Sequence, residues 1–153
     1  MILNRMIVFL MTPLIEKNIE VITDFQEGLP SVRSDVAALR QVFLNLLLNA
    51  SAVAGANSSI WISTFMKENS VTISVSDDGS GLGNADMEQI FNPQHLTKRG
   101  DWGFGLAISR VIMERIGGTI SVRNGEEHGL VFEIRVPEEF IGKSLDSELV
   151  ISD

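Results

Sequence analysis

Apolar and polar positions along this chain follow two rhythms, one near two residues and one near three and a half. Met6 to Ile15 (MIVFLMTPLI) is an apolar run that predicts a buried helix, capped by Asn4, reaching about Asn18 and kinked at Pro13. Ile19 to Phe25 alternates and predicts a strand with Ile19, Val21, Thr23 and Phe25 on one face. After a connection, EGLPSV, Asp35 caps a long helix to about Ala54. Its core stripe is Val36, Leu39, Phe43, Leu46, Leu47, Ala50 and Ala54. Strands follow near Ser59 to Lys67 and Val71 to Asp77, then a loop and short helix from Gly79 to Phe91. Asn92 to Trp102 has no apolar period and reads as a mobile loop. Phe104 to Ile116 predicts a helix, with Phe104, Ala107, Ile108, Val111, Ile112 and Arg115 recurring on one side and Gly117–Gly118 ending it. Thr119 to Arg123 and Leu130 to Val136 predict a hairpin around NGEEHG, and an acidic, weakly patterned tail or linker follows from 138 to 153. This order predicts an α/β two-layer sandwich, a mixed sheet with helices on one face.

Composition narrows the chemistry. The chain has 153 residues, with 12 Lys plus Arg against 20 Asp plus Glu, a net charge of −8, and 44% apolar residues. One globular domain is expected, and no basic run exists to neutralise nucleic-acid phosphates or an anionic membrane. There is no cysteine, so thiol catalysis, disulfides and cysteine metal sites are excluded. The N-terminal apolar run is far shorter than the roughly 20 residues of a membrane-spanning helix. No internal repeat is present, and eight of the 13 glycines fall between Gly79 and Gly118, where backbone must approach something closely.

Three places leave polar groups in need of partners. Asn45 and Asn49 share one side of the long helix, off its core stripe, and between Val42 and Val53 the only other polar residue is Ser51. A helix this apolar is expected to be covered on most sides, so the two carboxamides need either nearby backbone or a ligand. Asp77 continues the inward phase of Val71, Ile73 and Val75, while Asp78 is expected to point to solvent. A carboxylate at the end of a buried row serves as a turn cap or takes hydrogen bonds from a ligand, and the glycines of DDGSGLG let a flat molecule lie close. In RGDWGFGLAISR, Gly103 and Gly105 stand where a helix begins, either as an ordinary glycine-rich start or as a place where a phosphate reaches free amides. No Gly-Lys-Ser/Thr follows, so this is not a Walker A loop.

Together, and in this order, these segments resemble the ATP-binding catalytic domain of sensor histidine kinases, in the superfamily shared with gyrase, the heat-shock-ninety chaperones and MutL. LRQVFLNLLLNA is similar to the family's asparagine box, DDGSGLG to its first glycine box, IFNPQHLTK to its phenylalanine box, and GFGLAISRVIMERIGGTISV to its second glycine box with the helix and strand beyond. The resemblance covers about Ile2 to Pro137. It implies a Bergerat-type ATP-binding fold over residues 1–137, with a mostly antiparallel sheet of about five strands and three helices on one face.

The resemblance implies ATP and Mg²⁺ as ligands. Asn49 holds the metal through its amide oxygen, Asn45 supports the phosphates, and Lys98 neutralises charge during transfer. Asp77 accepts the adenine amine, Gly79 and Gly81 permit close approach, and Leu82 and Ile90 flank the base. Gly103, Phe104, Gly105 and Leu106 form the turn that meets the phosphates. The implied reaction transfers the γ-phosphoryl group to a histidine on a dimerisation domain outside this chain, since neither His95 nor His128 has the family's acceptor context. A response regulator is the implied downstream partner. The domain itself is implied to be cytoplasmic and monomeric, without nucleic-acid or membrane contact, in a parent that can be membrane-anchored.

The chain also departs from the family pattern. Asp101 and Trp102 stand in the glycine run, Leu130 replaces a hydroxyl residue near the base, and Gln94 and His95 replace aromatics. These motivate a degenerate, non-catalytic scaffold as an alternative, beside an anti-sigma-type serine kinase. A water-activating ATPase needs a glutamate where Asn45 stands.

Overall fold

In the computed structural model, residues 5, 7–8, 11–93, 103–137 and 148–149 are described. Helix α1 (Met11–Glu16) ends in a left-handed residue, Asn18, at φ 53°. There the amides of Asn18 and Ile19 reach back to the carbonyls of Ile15 and Leu14, both at 2.9 Å, which satisfies the last turn. Strand β1 (Glu20–Phe25) follows, then a two-residue strand, β2 (Val32–Arg33), which begins at the last residue of the expected connection. Helix α2 (Val36–Ala54) starts where Asp35 accepts a hydrogen bond from the Ala38 amide at 3.0 Å, as the capping pattern requires. Strands β3 (Ser59–Lys67) and β4 (Ser70–Asp77), the short helix α3 (Asn84–Gln89) and helix α4 (Gly103–Arg115) come next. The hairpin of β5 (Thr119–Asn124) and β6 (Leu130–Pro137) completes the main sheet. In the segment expected to be a tail, β7 (Glu148–Leu149) pairs antiparallel with β2.

The sheet order is β1-β3-β4-β6-β5, with β1 parallel to β3 and the other pairs antiparallel. Register places Ile62, Val75, Phe132 and Val122 in one row on the helix-bearing face, and Thr64, Ile73, Ile134 and Ile120 in the next. Against these rows α2 buries Leu39, Val42, Phe43, Leu46, Leu47 and Ala50, each worth up to about 1.5–3 kcal/mol for the larger side chains. By length and composition alone α2 could cross a membrane, but here its buried stripe lies on the sheet. It is not covered on most sides, because Leu48 is 50% exposed.

The opposite face of the sheet carries no helix layer among the described residues. It is closed by charge instead. Glu133, with its side chain 10% exposed, lies between Lys67, Arg123 and Arg135 at 3.6, 3.9 and 3.7 Å. A cavity of about 300 Å³ opens between α1 and β1, lined by Leu14, Ile19 and Val21 among others, with Val21 two strands from Asp77 in one cross-strand row.

Helix α4 forms where expected but is rotated from the expected stripe. Its buried residues are Leu106, Ser109 and Met113, with Ile116 just beyond, while Ile108 and Val111 are 51% and 57% exposed. Both stripes have helical spacing, so periodicity alone cannot choose between them. The contacts of Ser109 with α2, described below, make the choice.

Candidate functional site

Asp77 ends β4 opposite Ile60, in the inward row, and is 3% exposed. A charged group this buried needs donors, and the Gly79 amide supplies one to Oδ1 at 2.8 Å. Glycine leaves the room that turn uses. A Cβ on Gly79 would lie 2.8 Å from the same carboxylate oxygen and 3.2 Å from the Val53 carbonyl in the last turn of α2. Gly129, at φ +74°, closes the other side, and a Cβ there would overlap the Asp77 carbonyl. Backbone from two loops thus packs on Asp77, Gly79 on its carboxylate near the end of α2 and Gly129 on its main chain.

Asp78 does not point freely into solvent as expected. It is half-buried, and its Oδ2 accepts the Ser59 amide at 3.0 Å, which ties the start of β3 to the end of β4.

The start of α4 meets α2 at Asn45. The Asn45 amide nitrogen donates to the Gly105 carbonyl at 3.1 Å and to Ser109 Oγ at 3.0 Å. Ser109 in turn donates to the Gly105 carbonyl at 2.7 Å, and Gln41 donates to Asn45 Oδ1 at 3.0 Å. The Asn45 amide is thus tied to the first turns of α4 through two acceptors that lie 2.7 Å apart. A Cβ on Gly105 would meet Asn45 Cγ at 3.7 Å, an ordinary contact, so packing within the chain does not require glycine there.

Asn49 lies between these two ends. It is half-buried, and its amide nitrogen is buried with no hydrogen-bond partner, the condition that a bound ligand relieves. Residues 45, 49 and 53 follow one another on one face of α2, so the Asn45 contact at the middle of the helix and the Gly79 contact at its last turn are about 12 Å apart along its axis. No group of three or more acidic, His or Cys residues fit for a metal exists among the described residues, so a cation here would be held mainly by oxygens of its ligand.

The structure thus brings Asn45, Asn49, Asp77, Gly79, Gly81, Gly105 and Leu106 around one helix and the two chain segments that meet it. Leu106 is fully buried and Ile90 is 1% exposed, so both side chains belong to the core, while Leu82 is half-buried beside it. Gly103 and Phe104 form the first turn of α4. Phe91 carries the Arg110 guanidinium over its ring at 5.5 Å, joining the end of α3 to α4. Lys98, Gln94, His95, Asp101 and Trp102 lie outside the described residues. Sequence reasoning missed Gln41, Ser109, Asn124 and Gly129. Only Gly129 carried a usable signal, a glycine closing a hairpin turn.

Residues 34–140 match the family model of histidine kinase-, DNA gyrase B-, and HSP90-like ATPases. The chain is 37% identical over 127 residues to the adaptive-response sensory kinase SasA of Synechococcus sp. (strain CC9902), covering 79% of this chain and 33% of that protein. Among solved structures it is similar to the catalytic domain of histidine kinase ThkA, at 29% identity and a TM-score of 0.79, over 88% of this chain and 90% of that one. ThkA in complex with response regulator protein TrrA is also similar, at 28% identity and a TM-score of 0.78, over 90% of this chain and 39% of that one. Full-length ShkA in complex with AMPPNP is 25% identical with a TM-score of 0.79, over 94% of this chain and 30% of that one. The chain thus spans about a third of the curated relative and of full-length ShkA.

Proposed function

Because the chain belongs to the family of histidine kinase-, DNA gyrase B-, and HSP90-like ATPases, we propose that it is the ATP-binding catalytic domain of a sensor histidine kinase. On this reading residues 1–137 are the working unit and 138–153 a tail or linker. The domain acts in the cytoplasm as a monomer. It transfers the γ-phosphoryl group of ATP to a histidine on the parent's dimerisation domain, from which a response regulator is then charged. The single observation that carries the reading is the buried carboxylate of Asp77, positioned by the Gly79 amide at the C-terminal end of α2 while Gly105 meets the middle of that helix at Asn45.

Each residue then has a physical task. Asp77 accepts a hydrogen bond from the exocyclic amine of adenine. Guanine presents a carbonyl oxygen at that position, which a carboxylate repels, and a charge-assisted hydrogen bond is worth about 1.5–3 kcal/mol. Gly79 and Gly81 let the base lie close to the main chain, with Leu82 and Ile90 forming its apolar surroundings. The first amides of α4, from Gly103 to Leu106, face the phosphates with the positive end of the helix dipole. Asn45 braces that turn from α2, and Lys98 neutralises charge as transfer proceeds.

Asn49 is the residue that would hold Mg²⁺, through its amide oxygen. The orphaned atom of that side chain is the amide nitrogen, a donor suited to a phosphate oxygen, and the fit to the metal rests on the preference of Mg²⁺ for oxygen ligands and retained waters, which the amide oxygen meets. When bound, the ion offsets the negative charge of the phosphate oxygens.

Asn45 is no general base, and its amide is engaged by α4, which disfavours water activation by this chain. The kinase reading is tested by incubating the chain with labelled ATP and a cognate dimerisation domain. An acid-labile phosphohistidine is expected. Good ATP binding without that product would instead favour a non-catalytic scaffold, and label on serine would favour an anti-sigma-type kinase.

A further inference from the structure

We propose that Asn124 is a positioning residue that holds the glycine loop 79–82 in its base-binding shape. The inference rests on the nucleotide reading above and extends it to the β5–β6 hairpin. Asn124 ends β5, 42 positions beyond the residue it holds. Its Oδ1 accepts the Leu82 amide at 2.9 Å, and its Nδ2 donates to the Leu82 carbonyl at 2.8 Å. Both main-chain groups of one residue are thus paired by one carboxamide, as a neighbouring strand would pair them.

The surrounding backbone is shaped for this approach. Gly81 is buried at φ +70°, and a Cβ there would stand 2.5 Å from Asn124 Oδ1 and 3.2 Å from the Gly129 carbonyl. The hairpin turn is closed by the Gly125 amide donating to the Gly129 carbonyl at 2.9 Å. Gly129 itself lies against the Asp77 backbone. The loop is therefore fixed at Gly79 by Asp77 and at Leu82 by Asn124. Leu82 cannot leave the end of β5 without breaking two hydrogen bonds.

Asn124 is exposed, so its removal leaves no buried orphan and should not unfold the domain. The effect should fall on loop order and on the base. Amide hydrogen exchange at Leu82, thermal melting, and titrations with Mg-ATP, Mg-ADP and inorganic tripolyphosphate test this on the chain as it stands. Asn124→Ala is expected to lose Leu82 protection and keep its melting temperature. ATP and ADP should bind about fivefold to tenfold more weakly, the size of one or two net hydrogen bonds, while tripolyphosphate binding is unchanged. Asn124→Asp, which retains the acceptor for the Leu82 amide, should fall between. Unchanged Leu82 protection would overturn the proposal. So would lost protection with unchanged ATP affinity, or equal weakening of all three ligands with a lowered melting temperature. If wild type binds neither nucleotide, the nucleotide reading fails and this extension with it, whereas the exchange result separately shows whether the Leu82 clamp exists.

Discussion

Asn45 on α2 and Ser109 on α4 are joined by a 3.0 Å hydrogen bond, and Ser109 is fully buried. The serine also donates to the Gly105 carbonyl, so one hydroxyl fixes how the glycine-rich start of α4 sits on α2. Ser109→Ala removes both interactions and leaves the Asn45 amide with the Gly105 carbonyl as its remaining partner on α4. Stability should fall by about 1–2 kcal/mol, measured by urea unfolding.

Asp77→Asn separates charge from shape. Asparagine can still accept the Gly79 amide through Oδ1, so the turn should survive. The negative charge that repels a guanine carbonyl is lost. Affinity for ATP should fall by roughly tenfold to 100-fold, and the preference for ATP over GTP should shrink toward one. Competition titrations with both nucleotides read this directly.

Gly105→Ala should move stability and binding in opposite directions. The added Cβ meets Asn45 only at ordinary contact distance, and alanine is the better helix former by about 0.5–1 kcal/mol. Unfolding should show an equal or more stable domain. Mg-ATP affinity should fall by an order of magnitude or so, because close approach of phosphate to the helix amides is blocked. Glycine at this position would then be explained by the ligand and not by the fold.

Asn49→Ala removes a buried amide that the chain leaves unpartnered, so stability should stay within about 1 kcal/mol of wild type. The expected loss is in metal linkage. Wild type should bind ATP more tightly with Mg²⁺ than with a chelator, and the variant should show nearly equal affinities in the two conditions.

Much of this was legible in the residues. The phase of Val71, Ile73, Val75 and Asp77 placed the carboxylate inward, because strand alternation leaves no freedom once three positions are fixed. The cap at Asp35 and the stop at Gly117–Gly118 were equally local. The face of α4 was not legible. Leu106, Met113 and Ile116 are buried where Ile108 and Val111 are exposed, and the buried Ser109 between them finds partners 64 and 4 positions away that no periodicity encodes. Pairing of Val32–Arg33 with Glu148–Leu149 joins two-residue segments too short to carry a pattern. The capping role of Asp78 depends on Ser59, 19 residues earlier, and no periodicity encodes that partner.

The central claim is that Asp77, Asn49 and the start of α4 together grip a purine nucleotide and its metal. Calorimetric titration of the wild-type chain with Mg-ATP, and in parallel with Mg-GTP, tests it most directly. The expected result is saturable heat with ATP at micromolar to sub-millimolar concentration and little or none with GTP. No heat with Mg-ATP at millimolar concentration, from a chain that melts cooperatively, would contradict it.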